Sequence, residues 1–146
     1  MSTYKADFYA WTQETAALLK QGRFSEVDME ALIEEVEDMG ASKERELESR
    51  LMALLIHLLK WQYQPTHQGF SWRQTIENQR GRIKRRLNKT PSLKPKLIEI
   101  MEEAYLDAIG EAALETGLAK KTFPANFEQT GWSIAQVLNE AFYPES

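Results

Sequence analysis

Between residues 47 and 59 the chain places Leu47, Leu51, Leu54, Leu55, Leu58 and Leu59 at steps of three and four, and the apolar face continues toward Trp61 and Tyr63. Residues so spaced fall on one side of an α-helix, whereas a half-buried strand needs alternation at every second position. So wide an apolar face has to be covered by others, so this segment is expected at the centre of a helical core. Its longest apolar run, Leu51 to Leu59, is broken by His57. That run is about half of the ~20 residues a membrane span needs, so no membrane insertion is expected.

Five further helical segments can be placed by period and punctuation. The first follows Asp7, carries Phe8, Trp11, Thr15, Leu18 and Leu19, and stops at Gly22. A second begins near Asp28, shows Leu32, Ile33, Val36 and Met39 on one stripe, and is expected to end at Gly40, with Ser42 capping the leucine-rich third. The fourth opens with Ser71-Trp72-Arg73-Gln74, which has the form of a capping box, and runs to about Asn88. Ser92 can cap a fifth, with Pro95 in its first turn, Leu97, Ile98, Met101, Tyr105, Ala108, Ile109 and Ala112 as its apolar stripe, and Gly117 as its stop. Ser133-Ile134-Ala135-Gln136 is a second capping-box pattern, opening a short last helix before Pro144. Nothing reads as a strand. The expected fold is all-α, a compact bundle of five to six helices forming a single domain over residues 1–146, with antiparallel neighbours joined by short connections.

A chain of 146 residues can bury a core without staples, and it has no cysteine to supply disulfides, thiolate nucleophiles or thiolate zinc ligands. The amino-terminal MSTYKADFYAWTQE has no basic stretch followed by an apolar one, so a cytoplasmic location is expected. The net charge of −4 hides an asymmetry. Residues 26–49 carry ten acidic groups against Lys43 and Arg45, residues 73–96 carry nine cations against Glu77, and residues 97–146 return to −7. Two readings stand: the acidic and basic segments neutralise one another or lie solvated, or the basic segment meets a polyanion.

The segments DFYAWTQETAALLKQGRF, LIEEVEDMG, LLIHLLKWQYQP and SWRQTIENQR, with the closing ETGL, FP and W-S-x-x-Q-V-L pattern, span residues 4 to 144 in order. Together they resemble the bacterial family catalogued as domain of unknown function twenty-nine, which is abundant in cyanobacteria. The resemblance implies an all-helical fold and carries no activity, cofactor or catalytic residue with it.

Three constellations could carry chemistry. Arg50 and His57 stand seven residues apart, close to two helical turns, as in the arginine–histidine signature of HEPN ribonucleases. A near-neutral proton acceptor beside a fixed cation suits RNA cleavage, although the intervening LMALLI is wholly apolar and a structural histidine fits equally well. Glu34 with Glu37, and Glu99 with Glu102, have the three-residue spacing by which all-helical nucleotide pyrophosphatases hold magnesium; solvated acidic faces give the same pattern. Neither His57 nor His67 has a glutamate three residues before it, which excludes the di-iron pattern, and P-loop, nucleophile-elbow and zinc-protease motifs are absent. No particular cofactor is indicated.

The third constellation is the basic helix. Arg73, Arg80, Arg82, Arg85 and Arg86, with Lys60 and Trp61 from the K-W-Q-Y-Q-P edge, offer bidentate donors beside aromatic rings. The expectation is a non-catalytic binding or interaction module using these residues toward a protein partner or a second copy. Nucleic acid stays possible but is not indicated by a sequence pI of 5.3. A ribonuclease or metal-dependent nucleotide hydrolase is the alternative.

Overall fold

The leucine-rich segment is the second half of one long helix. The structure, a computed structural model, describes residues 3–145. It contains α1 (Phe8–Lys20), α2 (Met29–Tyr63), α3 (Phe70–Lys89), α4 (Leu97–Thr116) and α5 (Ile134–Leu138). No strand forms among the described residues, so the fold is all-α as the periodicity predicts. No helix among them is long and apolar enough to cross a membrane.

Local chemistry explains three of the helix ends. The Asp7 carboxylate accepts from the Ala10 amide and starts α1. Gly117, at φ 75°, closes α4 in the left-handed region, where a side chain would be strained. Ser133 and Gln136 form both bonds of a capping box at α5.

Three expected boundaries are corrected. Gly40 does not end a helix: α2 runs through it and through Ser42, so the second and third predicted segments are one. A helical glycine costs only about 1 kcal/mol relative to alanine, less than stopping and restarting a helix would cost. The Ser71–Gln74 box does not form, because α3 starts earlier, from an extended Gly69 whose carbonyl takes the Arg73 amide, leaving Ser71 in the first turn. Ser92 caps nothing: Pro91–Lys96 is a 3₁₀ segment containing Pro95, and α4 begins only at Leu97.

The chain divides into two compact units, Met1–Lys43 and Glu44–Ser146. In the first, Trp11, Thr15, Leu18, Val27 and Ala31 are buried. The rings of Tyr4, Phe8 and Trp11 lie 4.7 to 6.0 Å apart, and the Tyr4 hydroxyl donates to Glu35 at 2.7 Å. That carboxylate holds the proton on Tyr4, pushing its pKa up to about 12. The expected stripe of α2 is not the buried one: Leu32 is half-buried and Ile33, Val36 and Met39 are exposed, whereas Ala31, outside that stripe, is buried.

The second unit is a helical bundle. Leu47, Leu51, Leu54, Leu55, Leu58 and Leu59 are fully buried, each contributing about 1.5–3 kcal/mol by the apolar area it removes from water. Ile76, Ile83 and Leu87 of α3 pack onto them, and Met101, Ala104, Tyr105, Ala108 and Ala112 of α4 complete the core with Phe123, Phe127 and Val137. Ile98, expected on the buried stripe of α4, is 45% exposed. The Tyr105 hydroxyl finds the Pro124 carbonyl at 2.7 Å, satisfying the one polar atom of that buried ring.

Candidate functional site

Helical period sorts the cations of α3 onto different faces. Ile76, Ile83 and Leu87 point into the core, and Arg80 shares their stripe, four residues after Ile76 and three before Ile83. Its side chain is accordingly fully buried. The guanidinium donates to the carbonyls of Val137 at 2.8 Å and Phe142 at 2.7 Å, with a longer approach of 3.5 Å to that of Glu140. Val137 lies in the last turn of α5, where carbonyls lack helical partners, so Arg80 satisfies acceptors the helix cannot. Burial lowers its pKa, and arginine stays charged nonetheless. Arg80 therefore fastens the carboxy-terminal segment and offers nothing to a ligand.

Lys60, Trp61 and Arg73 gather beside it in an aromatic–cation cluster. The Arg73 guanidinium carbon lies 5.3 Å from the Trp61 ring and 4.5 Å from that of Tyr143, which also stands 5.4 Å from Arg80. Lys60 Nζ sits 4.8 Å from the Trp72 ring and 3.6 Å from the Glu115 carboxylate, while His67 stacks on Trp72 at 6.4 Å. These cations already hold aromatic or acidic partners within the unit. Tyr143 is the member that sequence reasoning missed, since nothing in its local spacing ties it to Trp61.

The other face of α3 is different. Arg82, Arg85, Arg86 and Lys89 follow one another at three- and four-residue steps or a neighbouring pair. With Arg50 and Glu46 of α2 they line a cleft of about 190 Å³. Five cations thus face one carboxylate, and Glu46 is bonded to Arg86. Arg82, Arg85 and Lys89 are exposed, and Arg50 is half-buried. Their number beside one acid, together with the fork geometry of the guanidinium groups, matches the charge and shape of an oxyanion such as a phosphate or carboxylate.

Arg50 lines this cleft with the cations of α3, whereas His57, two turns further along α2, is not among its lining residues. His57 is half-buried, its Nδ1–H donating to the Ala53 carbonyl at 3.0 Å. Burial lowers its pKa, with nearby Lys60 adding to the effect and the Ala53 bond and Glu115 opposing it.

The two carboxylate pairs fall in different units. Glu34 and Glu37 lie in the first unit and Glu99 and Glu102 in the second, and no group of three or more His, Asp or Glu among the described residues could hold a metal ion. The acids that α4 does bring to α2 are Glu103 and Asp107, near Glu48, whose pKa is raised by burial first and by those two charges second.

The comparison with curated proteins finds no match, and neither does that with solved structures. The family model described as domain of unknown function DUF29 matches residues 3–143, from before the first helix to beyond the last. With α1 to α5 all inside that match, the chain belongs to the DUF29 family.

Proposed function

We propose that the protein is a non-catalytic binding module that takes an anionic group of a partner in the cleft between α2 and α3. The carrying observation is the convergence of Arg50, Arg82, Arg85, Arg86 and Lys89 on one cavity with a single carboxylate. Exposed cations of one sign in a concave site focus potential and raise the local concentration of anions. Its lining holds no histidine and a single carboxylate, Glu46, among five cations, which favours recognition of an anion over acid–base or metal-assisted cleavage.

The test is fluorescence anisotropy with two labelled probes of equal charge, a single-stranded oligoribonucleotide and an oligoglutamate peptide, across a salt series. One of them binds, and its affinity falls steeply with salt. The double variant Arg82→Glu, Arg85→Glu loses that binding, at unchanged helicity, because both side chains are exposed. Binding of neither probe, or equal binding by the variant, refutes the assignment. Whichever probe binds also separates a nucleic-acid partner from an acidic protein.

A further inference from the structure

The first unit leaves an unusual amount of apolar side chain in water. Among the described residues, eight of the twelve exposed large hydrophobics lie within Met1–Lys43: Phe8, Tyr9, Leu19, Phe24, Met29, Ile33, Val36 and Met39. Scattered single residues would need no explanation, but three of these form a row. At about 100° per residue, Ile33 and Val36 lie within about 40° of Met29 around α2, with Gly40 between them in angle. Nothing lies within 4 Å of where a Gly40 Cβ would stand, so the row opens into free space at its carboxy-terminal end. The unit's own core uses a different face of α2, through Ala31 about 160° from Met29 and Ile33, so this row is not the inside of the small unit.

Its border is acidic. By the same geometry Glu30 and Glu37 run along one edge of the row about 80–100° from Met29, with Glu34 beyond. All three are exposed and form no salt bridge among the described residues, although Lys5 lines a pocket with Glu30 and Glu34, which leaves Glu37 the acid nearest the row. Residues 24–42 contain seven Asp or Glu and no Lys or Arg. A second copy of the chain is a poor occupant, since pairing this row with itself would set uncompensated carboxylates side by side. A helix with apolar residues at three- and four-residue spacing and Lys or Arg along its flanks meets both features at once.

We infer that the Met29–Ile33–Val36 row of α2, bordered by Glu30, Glu34 and Glu37, is a docking face for a cationic amphipathic helix of another protein. The row supplies the apolar contact, and the carboxylates select the partner and fix its direction. This site lies in the first unit and does not depend on the basic cleft.

The test is the binding of a labelled peptide of about 18 residues, with leucine at helical a and d positions and lysine elsewhere, to the full chain, beside a twin carrying glutamate for lysine. The cationic peptide binds saturably at one per chain, and the acidic twin at least about tenfold more weakly. The variant Ile33→Asp, Val36→Asp provides the sharper readout, because it adds negative charge. Attraction by charge alone would strengthen, whereas docking on the apolar row weakens at least about tenfold. Arg82→Glu, Arg85→Glu leaves this binding at least as strong, which separates it from the cleft. Three results overturn the inference: no saturable binding, binding undiminished by the two aspartates, or light scattering that shows a dimer which Ile33→Asp converts to monomer.

Discussion

Arg80→Met removes a buried guanidinium while keeping an unbranched side chain of related length on the same stripe, so packing is disturbed least and hydrogen bonding most. Two short bonds are lost, to the Val137 and Phe142 carbonyls, and both acceptors are left buried or half-buried without a donor. A hydrogen bond to a charged group contributes about 1.5–3 kcal/mol, and an orphaned buried partner costs about 1–3 kcal/mol. These quantities overlap, and removal of the Arg80 charge is itself favourable because its desolvation no longer opposes folding. The expected net loss is about 3–5 kcal/mol, the range found when one partner of a buried charged interaction is deleted. Set against a total stability of about 5–15 kcal/mol, this is large. It corresponds to a fall in Tm of about 6–20 °C for a chain of this size. Urea denaturation gives the free energy, and hydrogen exchange locates it: amides between Ile134 and Tyr143 lose protection first. Arg80→Lys keeps the charge but lacks the fork, and recovers about half the loss. A loss below about 1 kcal/mol with the carboxy-terminal amides still protected refutes the fastening role.

Two further perturbations address α2. Gly40→Ala is expected to stabilise by about 0.5–1 kcal/mol, since Gly40 is helical, has a Cβ position in open space, and is not among the positive-φ glycines Gly22, Gly117 and Gly131. A destabilised variant in thermal melts would mean that Gly40 caps a helix end after all. Glu48→Gln tests the acidic contact with α4. Because the folded-state pKa of Glu48 is raised above its ordinary 4.5, the folded protein holds that proton more tightly, and stability falls as pH climbs through the window above 4.5. The glutamine variant should therefore melt higher than the parent at pH 7 and equal to it near pH 4; the same difference at both pH values removes the electrostatic explanation.

Much of the fold is legible because its determinants are local. The leucine period of α2, the Asp7 cap, the Gly117 stop and the Ser133–Gln136 box each depend on residues within one or two turns. The failures occur where a local signal competes with a neighbour. Gly40 resembles a stop, but the helices on either side are in phase and the penalty of one glycine is small. Ser71 resembles a cap, but Gly69 begins the turn earlier. The site divides in the same way. Arg82, Arg85, Arg86 and Lys89 share a face by spacing alone, and even the burial of Arg80 was present in its register with Ile76 and Ile83. Arg50 beside Arg85 and Tyr143 beside Trp61 are tertiary juxtapositions, for which a single sequence carries no signal.

The charge asymmetry shows why a segment's net charge cannot decide between internal neutralisation and binding. Of the nine cations in residues 73–96, Arg86 is bonded to Glu46, Lys96 to Glu44 at 2.7 Å, and Lys84 to Glu140 at 3.3 Å. Arg80 is used by backbone carbonyls and Arg73 by aromatic rings. Internal pairing is therefore real, but on the acidic side of those pairs α2 supplies only Glu44 and Glu46. Its earlier carboxylates Glu30, Glu34 and Glu37 have no ion-pair partner among the described residues, just as Arg82, Arg85 and Lys89 have none on the basic side. What remains after pairing is unpaired charge of one sign in each unit, attached to a distinct surface chemistry: guanidinium forks around a cleft in the second unit, and carboxylates beside an apolar row in the first. Exposed pairs like Lys84–Glu140 contribute little to stability. If the two proposals hold, the unpaired groups serve recognition instead, because an anion at the cleft or a cationic helix at the row would gain an interaction that no salt bridge within the folded chain already supplies.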